Sequence, residues 1–229
     1  MSQNIMQVLS AGHIYLVDDD ASIRSALAGT LERQGFSVTP YASAAEFLQH
    51  ATPVSPAVVL LDMRMPGLSG VECQADLASH GWTTPIIFIS GESLPAQIVQ
   101  AMKLGASDFL LKPFSMQTLL VAVERAIETD RATHALLVRT LAVEKLYAAL
   151  TPREREVFEA IIEGKTNKQI ADSDGSAAAT IKLHRSRVLS KMQVESAAEL
   201  IALTSDIDIS ALRLRSLDVK HPLAPERHH

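Results

Sequence analysis

Apolar positions in the first half of the chain follow two alternating patterns. Short apolar runs, Ile14-Tyr15-Leu16-Val17, Ala57-Val58-Val59-Leu60-Leu61, Ile86-Ile87-Phe88-Ile89 and Phe109-Leu110-Leu111, are rich in β-branched and aromatic side chains. Runs of this kind predict strands buried on both faces, as in a parallel sheet. Between them lie stretches whose apolar residues recur every three or four positions, the period of an amphipathic helix. Ser22 to Gln34 carries Ile23, Leu27 and Leu31 on one face and stops at Gly35; Ala44–His50, Val71–Ser79 and Pro95–Lys103 are similar. The alternation of strand and helix predicts an α/β unit, doubly wound around a parallel sheet of five strands.

The pattern then changes. From Phe114 to Thr151 there is neither glycine nor proline. Helix is expected from Ser115 to Ala149, interrupted near Thr129–His134, where Asp130 and His134 break the heptad spacing of Leu120, Val123, Ile127, Leu137 and Leu141. Its first half is expected to pack on the α/β unit; its second half is open to a dimer-forming role. Thr151-Pro152-Arg153-Glu154 has the spacing of a capping box with proline in the first turn, and the helix it opens ends at Gly164. A short helix, Asn167–Asp172, a turn at Asp174-Gly175 and a third helix, Ala178–Met192, follow. Ile181, Val188 and Met192 line one face of the third; Lys182, His184, Arg185, Arg187 and Lys191 line the other, with no acid in the stretch. Two short helices joined by a tight turn, the second basic, predict a small all-α helix-turn-helix domain. The expected organisation is residues 1–128 as the α/β domain, 129–149 as a helical linker, 150–204 as the helix-turn-helix domain and 205–229 as a C-terminal extension. In that extension, Ser205–Arg215 adds a short helix before a partly disordered tail.

A chain of 229 residues suits two such domains, and 47% hydrophobic with 21% charged residues is an ordinary soluble composition. No apolar run approaches the roughly 20 residues that cross a bilayer. Met1-Ser2-Gln3-Asn4 is not the basic-then-apolar start of a secretory leader, and the single Cys73 has no internal partner, so a cytoplasmic chain is expected. Residues 1–130 hold 6 Lys/Arg against 13 Asp/Glu, residues 131–229 hold 15 against 13. The acidic first half is a poor partner for nucleic acid; the basic helix of the second is a good one.

The ends of the predicted strands carry the chemistry. Asp18-Asp19-Asp20 follows the first run, Asp62 the second, Ser90 the third and Lys112 the fourth. Alone, an aspartate such as Asp62 is more often a turn or helix-cap residue. In a parallel sheet, however, all four ends lie on one edge, where open α/β sheets bind ligands. Clustered carboxylates repel unless a cation sits among them, and hard oxygen ligands suit Mg²⁺. A carboxylate can act as nucleophile toward phosphorus, with a lysine and a hydroxyl stabilising the phosphoryl oxygens.

Val17-Asp18-Asp19-Asp20, Leu61-Asp62-Met63-Arg64-Met65-Pro66-Gly67-Leu68-Ser69-Gly70, Ile89-Ser90-Gly91 and Leu111-Lys112-Pro113-Phe114 resemble the receiver domain of two-component response regulators over Gly12–Ile127. The resemblance implies that Asp62 accepts a phosphoryl group from a sensor histidine kinase. It implies that Asp18, Asp19, Asp62 and the Arg64 backbone carbonyl hold Mg²⁺. It makes Ser90 the switch hydroxyl, Lys112 the phosphate partner, Phe109 the aromatic that follows the switch, and Lys112-Pro113 a cis peptide. Asp20 is read first as a helix N-cap and second as a metal helper. Glu92-Ser93-Leu94-Pro95-Ala96-Gln97 departs from the loop of many relatives.

Leu150-Thr151-Pro152-Arg153-Glu154-Arg155-Glu156-Val157, Gly164-Lys165-Thr166-Asn167-Lys168-Gln169-Ile170-Ala171 and Thr180-Ile181-Lys182-Leu183-His184-Arg185 resemble the LuxR-type DNA-binding domain over Leu150–Leu203. By position, Lys182 and Leu183 would face bases, while Thr166, Lys168 and Arg187 would hold phosphates. Arg185 and Lys191 join them on the basic face, and His184 ranks below the lysines. The turn Asp174–Ala179 departs from the relatives' apolar pair and hydroxyl cap, so Ser176 is expected to cap the third helix one residue early. Together these features imply a transcription regulator whose partners are its kinase, promoter DNA, RNA polymerase and, when phosphorylated, a second copy. Two rival readings are weaker. A phosphatase of the acyl-phosphate type needs a second acid where this chain has Arg64. A DNA binder with a vestigial receiver sits poorly with the complete set Asp18, Asp19, Asp62, Ser90 and Lys112.

Overall fold

The computed structural model of the chain describes residues 11–91 and 95–218. Met1–Asn4, Glu92–Leu94 of the departing loop, and the terminal His228-His229 lie outside them. The chain folds as two units, the first ending at Ala135 and the second beginning at Leu136.

The N-terminal unit is a parallel sheet of five strands in the order β2-β1-β3-β4-β5. The strands are β1 (His13–Val17), β2 (Ser37–Tyr41), β3 (Ala57–Asp62), β4 (Ile86–Ser90) and β5 (Asp108–Leu111), alternating with α1 (Ala21–Arg33), α2 (Ala44–His50), α3 (Gly70–Ser79) and α4 (Pro95–Lys103). Alternate strand residues point to opposite faces, and each face has its own core. Tyr15, Val17, Val59, Leu61 and Phe88 pack with Phe47, Cys73 and Leu77 on one side. Ile14, Leu16, Val58, Leu60, Ile87 and Ile89 pack with Leu27, Leu31, Leu119, Val123 and Ile127 on the other. Each fully buried Leu, Ile or Val contributes about 1.5–3 kcal/mol, so the two layers fix the register on which the strand ends depend. Cys73 has no solvent exposure, and burial pushes its thiol up to about 12, as suits a helix residue of the core.

Strand β2 gives no unbroken apolar run. It pairs only with β1, from His13↔Ser37 to Val17↔Tyr41, and its Pro40 is tolerated at that edge position. Helix α5 runs unbroken over Met116–Ala148, so the expected interruption is absent. Asp130 does not break the helix: it is 4% exposed, and its Oδ2 accepts the Ala57 N–H at 2.9 Å at the start of β3. The Thr129 hydroxyl is satisfied inside the helix by the Arg125 carbonyl, 2.9 Å away.

The C-terminal unit is all-α: the end of α5, then α6 (Pro152–Ile162), α7 (Asn167–Asp174), α8 (Ala178–Lys191), α9 (Ala197–Thr204) and α10 (Ile209–Asp218). Val143, Tyr147, Leu150, Val157, Phe158, Ile161, Val188, Met192 and Leu200 form its main core. Ala160, Ile170, Ala171 and Ile181 form a smaller one under the α7–α8 turn. The extension is helical through Asp218, later than the Arg215 expected.

Candidate functional site

Asp18, Asp62, Ser90 and Lys112 come from the ends of β1, β3, β4 and β5, and the parallel topology brings them to one sheet edge. Asp18, Asp62 and Ser90 are 2%, 8% and 1% exposed. The Lys112 Nζ donates to Asp18 Oδ2 at 3.0 Å and to Asp62 Oδ1 at 3.2 Å. The second Asp62 oxygen accepts the Arg64 N–H at 2.9 Å. Asp19 is exposed beside Asp18. Among the described residues, no three His, Cys, Asp or Glu side chains converge on one point.

Two acids share one ammonium here. Burial pushes the Asp62 carboxyl above the usual carboxylate range, further helped by the Asp18 charge, while the Lys112 contact and the Arg64 N–H pull the other way. Lys112 is raised: burial opposes this, but the hydrogen bond to Asp18 and the charges of Asp62 and Asp18 outweigh it. The net negative, oxygen-only donor set fits a hard divalent cation such as Mg²⁺. Phe109 is half-buried, its ring centroid 6.2 Å from that of Phe88. Lys112-Pro113 is cis.

Three supports were not singled out from sequence. Arg24 Nη1 donates to the Asp18 carbonyl at 2.6 Å, and the Asp20 N–H to Asp18 Oδ1 at 2.9 Å. Gly70 is the third: a Cβ there would lie 2.6 Å from the Asp62 carbonyl and 2.9 Å from the Phe88 ring, so only glycine lets α3 start this close to the end of β3. Asp20 caps α1 as expected, accepting from the Ser22 and Ile23 amides, and these bonds lower its pKa.

On the C-terminal unit, α7 ends at Gly175 in the left-handed conformation (φ 72°), making the tight turn into α8. Lys182, Leu183 and Arg187 project from α8 into solvent, Leu183 at 51% exposure. Lys168 is exposed on α7. Thr166 caps α7, its hydroxyl accepting from the Gln169 amide. Arg185 is half-buried and donates to the Lys165 carbonyl at 3.1 Å, tying α8 to the loop before α7. Lys191 serves the fold, its Nζ donating to Glu154 Oε2 at 2.6 Å and to the Ala149 carbonyl at 3.2 Å. His184 is half-buried, with a buried Nδ1 that no described residue hydrogen-bonds. The cap of α8 differs from the expectation. Ala177, not Ser176, is its N-cap and supplies no side-chain bond, while the Ser176 hydroxyl accepts from Arg153 Nη2 at 3.1 Å.

Known proteins with these features are numerous. Residues 14–124 match the family described as the response regulator receiver domain, and residues 148–204 the LuxR family of bacterial regulatory proteins. The chain is 39% identical to nodulation protein W of Bradyrhizobium diazoefficiens over 86% of this chain and 87% of that one. It is 37% identical to the tetrathionate response regulatory protein TtrR of Salmonella typhimurium over 89% and 97%. Among solved structures it is similar to the response regulator StyR, with a TM-score of 0.73 at 38% identity over 84% of this chain and 98% of that one. It is also similar to full-length FixJ from B. japonicum, with a TM-score of 0.54 at 38% identity over 85% and 96%. These relatives are matched along most of their length, and the chain belongs to the two-component response regulators that join a receiver to a LuxR-type DNA-binding domain and control transcription.

Proposed function

We propose that Asp62 is the phosphoacceptor through which this response regulator is switched. The observation that carries the reading is the buried Asp62 carboxylate, 3.2 Å from Lys112 at the end of β3. One Asp62 oxygen attacks the phosphorus of the kinase's phosphohistidine, the phosphorus–nitrogen bond breaks, and the imidazole leaves with the electron pair. Lys112 then exchanges its contact with Asp62 for one with a phosphoryl oxygen, while Asp18 keeps the ammonium in place. Asp18, Asp19, Asp62 and the Arg64 carbonyl would hold Mg²⁺, and the ion would supply positive charge to offset that on the phosphoryl oxygens. Ser90 donates to a phosphoryl oxygen in only one of two receiver states, and that differential contact is what shifts the population. Phe109 follows it. The favoured state pairs with a second copy and raises affinity for promoter DNA, where RNA polymerase is engaged.

On α8, Lys182 and Leu183 face base edges, the lysine toward guanine acceptors and the leucine toward a thymine methyl. Arg187 and Lys168 hold phosphates, as the Thr166 end of α7 does. Arg185 and Lys191 act through the fold, and His184 behind them. The transcription regulator has no classical enzyme activity of its own, and no described helix is long and apolar enough to cross a membrane.

The test is incubation of the full chain with acetyl phosphate and Mg²⁺, followed by intact mass and footprinting on genomic DNA. One base-labile phosphoryl group and a sharpened footprint are expected, and Ser90→Ala should keep the first and lose the second. Normal phosphorylation of Asp62→Asn would overturn the assignment.

A further inference from the structure

We propose that residues 205–218 are a clasp that fastens the end of α5 to the DNA-binding unit, so that the linker helix cannot leave that unit when the receiver changes state. The LuxR-family match covers residues 148–204. The core of the unit extends beyond it at both ends. Val143 and Tyr147 precede the match, Ile207 and Leu212 follow it, and all four are buried in one cluster with Phe158 and Leu200, at 1%, 1%, 7% and 1% exposure.

The two flanks are also joined by polar groups. Arg139 Nη2 donates to Asp206 Oδ2 at 2.6 Å, and this contact lowers the Asp206 pKa. Glu159 of α6 accepts the Tyr147 hydroxyl at 3.2 Å and lies 4.0 Å from Arg213 of α10. An exposed ion pair contributes little by itself, so Ile207 and Leu212 supply the holding force and the Arg139–Asp206 pair sets the helix register.

The helix needs such a fastening. Residues 131–138 of α5 are all exposed, including Leu137 at 49% and Val138 at 54%. Two turns of helix with no tertiary support are marginal. Upstream, α5 is held by Ile127 and by Asp130 on Ala57; downstream, it is held by the core that the extension completes. A helix anchored at both ends concentrates any conformational change in the exposed stretch between.

Deuterium exchange on the full chain tests the clasp whether or not Asp62 accepts phosphate. Leu212→Ala should speed exchange over Arg139–Tyr147 by about tenfold or more, and leave β3 unchanged. Asp206→Arg should speed the same segment by about two- to fivefold, and pairing it with Arg139→Glu should restore the parent rate. An unchanged rate over Arg139–Tyr147 in Leu212→Ala overturns the proposal. So does equal acceleration across α6, which would make the extension general core, and so does a charge-swapped protein no better than Asp206→Arg alone. A chain ending at Ser205 serves as a further check: parent-like protection of Arg139–Tyr147 in it refutes the clasp.

Discussion

Lys112 in the receiver and Lys191 in the DNA-binding unit each donate to a buried carboxylate, and the two carboxylates respond in opposite directions. Burial raises Asp62, because its ammonium is shared with Asp18 and so does not fully offset desolvation. Glu154 has Lys191 almost to itself, at 2.6 Å, and also accepts the Thr151 N–H at 2.8 Å. These bonds hold its carboxyl far down, to about 2. The charge at Asp62 is therefore under-compensated, while the Glu154 site is closed and complete. Under-compensation marks a place for chemistry; completeness marks a place for structure.

The largest effect expected from breaking this contrast is at Asp62. Asp62→Asn should abolish phosphoryl incorporation from acetyl phosphate, read by intact mass. The same change should stabilise the receiver at neutral pH. A carboxylate raised in the folded state costs folding free energy wherever the unfolded chain is ionised, above the ordinary value of 3.8. The gain should vanish as the pH falls below that value, where both forms carry the proton. Trp82 packs against Tyr15 and Phe47 in the receiver, so its fluorescence follows this unit during urea unfolding. A less stable Asp62→Asn protein at pH 7 would contradict the argument.

Glu154→Gln should act in the other direction and on the other unit. Its lowered pKa contributes stability above the ordinary 4.5, lost as the pH falls toward about 2. Partial exposure of Lys191 screens the pair, so a loss of about 1–3 kcal/mol at pH 7 is expected, shrinking on acidification. Far-UV ellipticity reads it, since the C-terminal unit is all-helical. Trp82 fluorescence should keep its parent midpoint. A shifted fluorescence midpoint would mean that Glu154 acts beyond its own unit.

The convergence of Asp18, Asp62, Ser90 and Lys112 was legible because each follows an apolar run, and parallel strands put their ends on one edge. These four needed no tertiary information beyond that. Edge strand β2 was less legible, since one exposed side and Pro40 remove the apolar signal. Partners distant in sequence left no local mark at all. Asp130 reads as a fault in a heptad until Ala57, 73 residues away, supplies its N–H. Lys191 reads as one more cation on a basic helix until Glu154 claims it from 37 residues away. A capping box names Glu154 as a cap but is silent on its second partner. Ile207 and Leu212 lie five apart, a spacing that no helical period flags, so the short helix read over Ser205–Arg215 gives no sign of the core it joins.

The smallest effects separate the cations of α8 from one another. Lys182→Ala should cost about 1–3 kcal/mol at a single base position and relax preference there. Arg187→Ala should weaken all sequences about equally and reduce the salt slope by about 1. Lys191→Ala belongs with Glu154 instead. It removes one charge from the same helix, but a charge already held by a carboxylate releases few counterions from DNA. Its salt slope should therefore stay near that of the parent while the C-terminal unit loses stability, because Glu154 is left buried and unpaired. Binding titrations of the three variants on one promoter fragment at several salt concentrations, beside their ellipticity melts, decide the matter. If Lys191→Ala flattens the slope as much as Arg187→Ala does, Lys191 leaves Glu154 for phosphate on DNA, and the distinction between an open charge and a closed one fails on this helix.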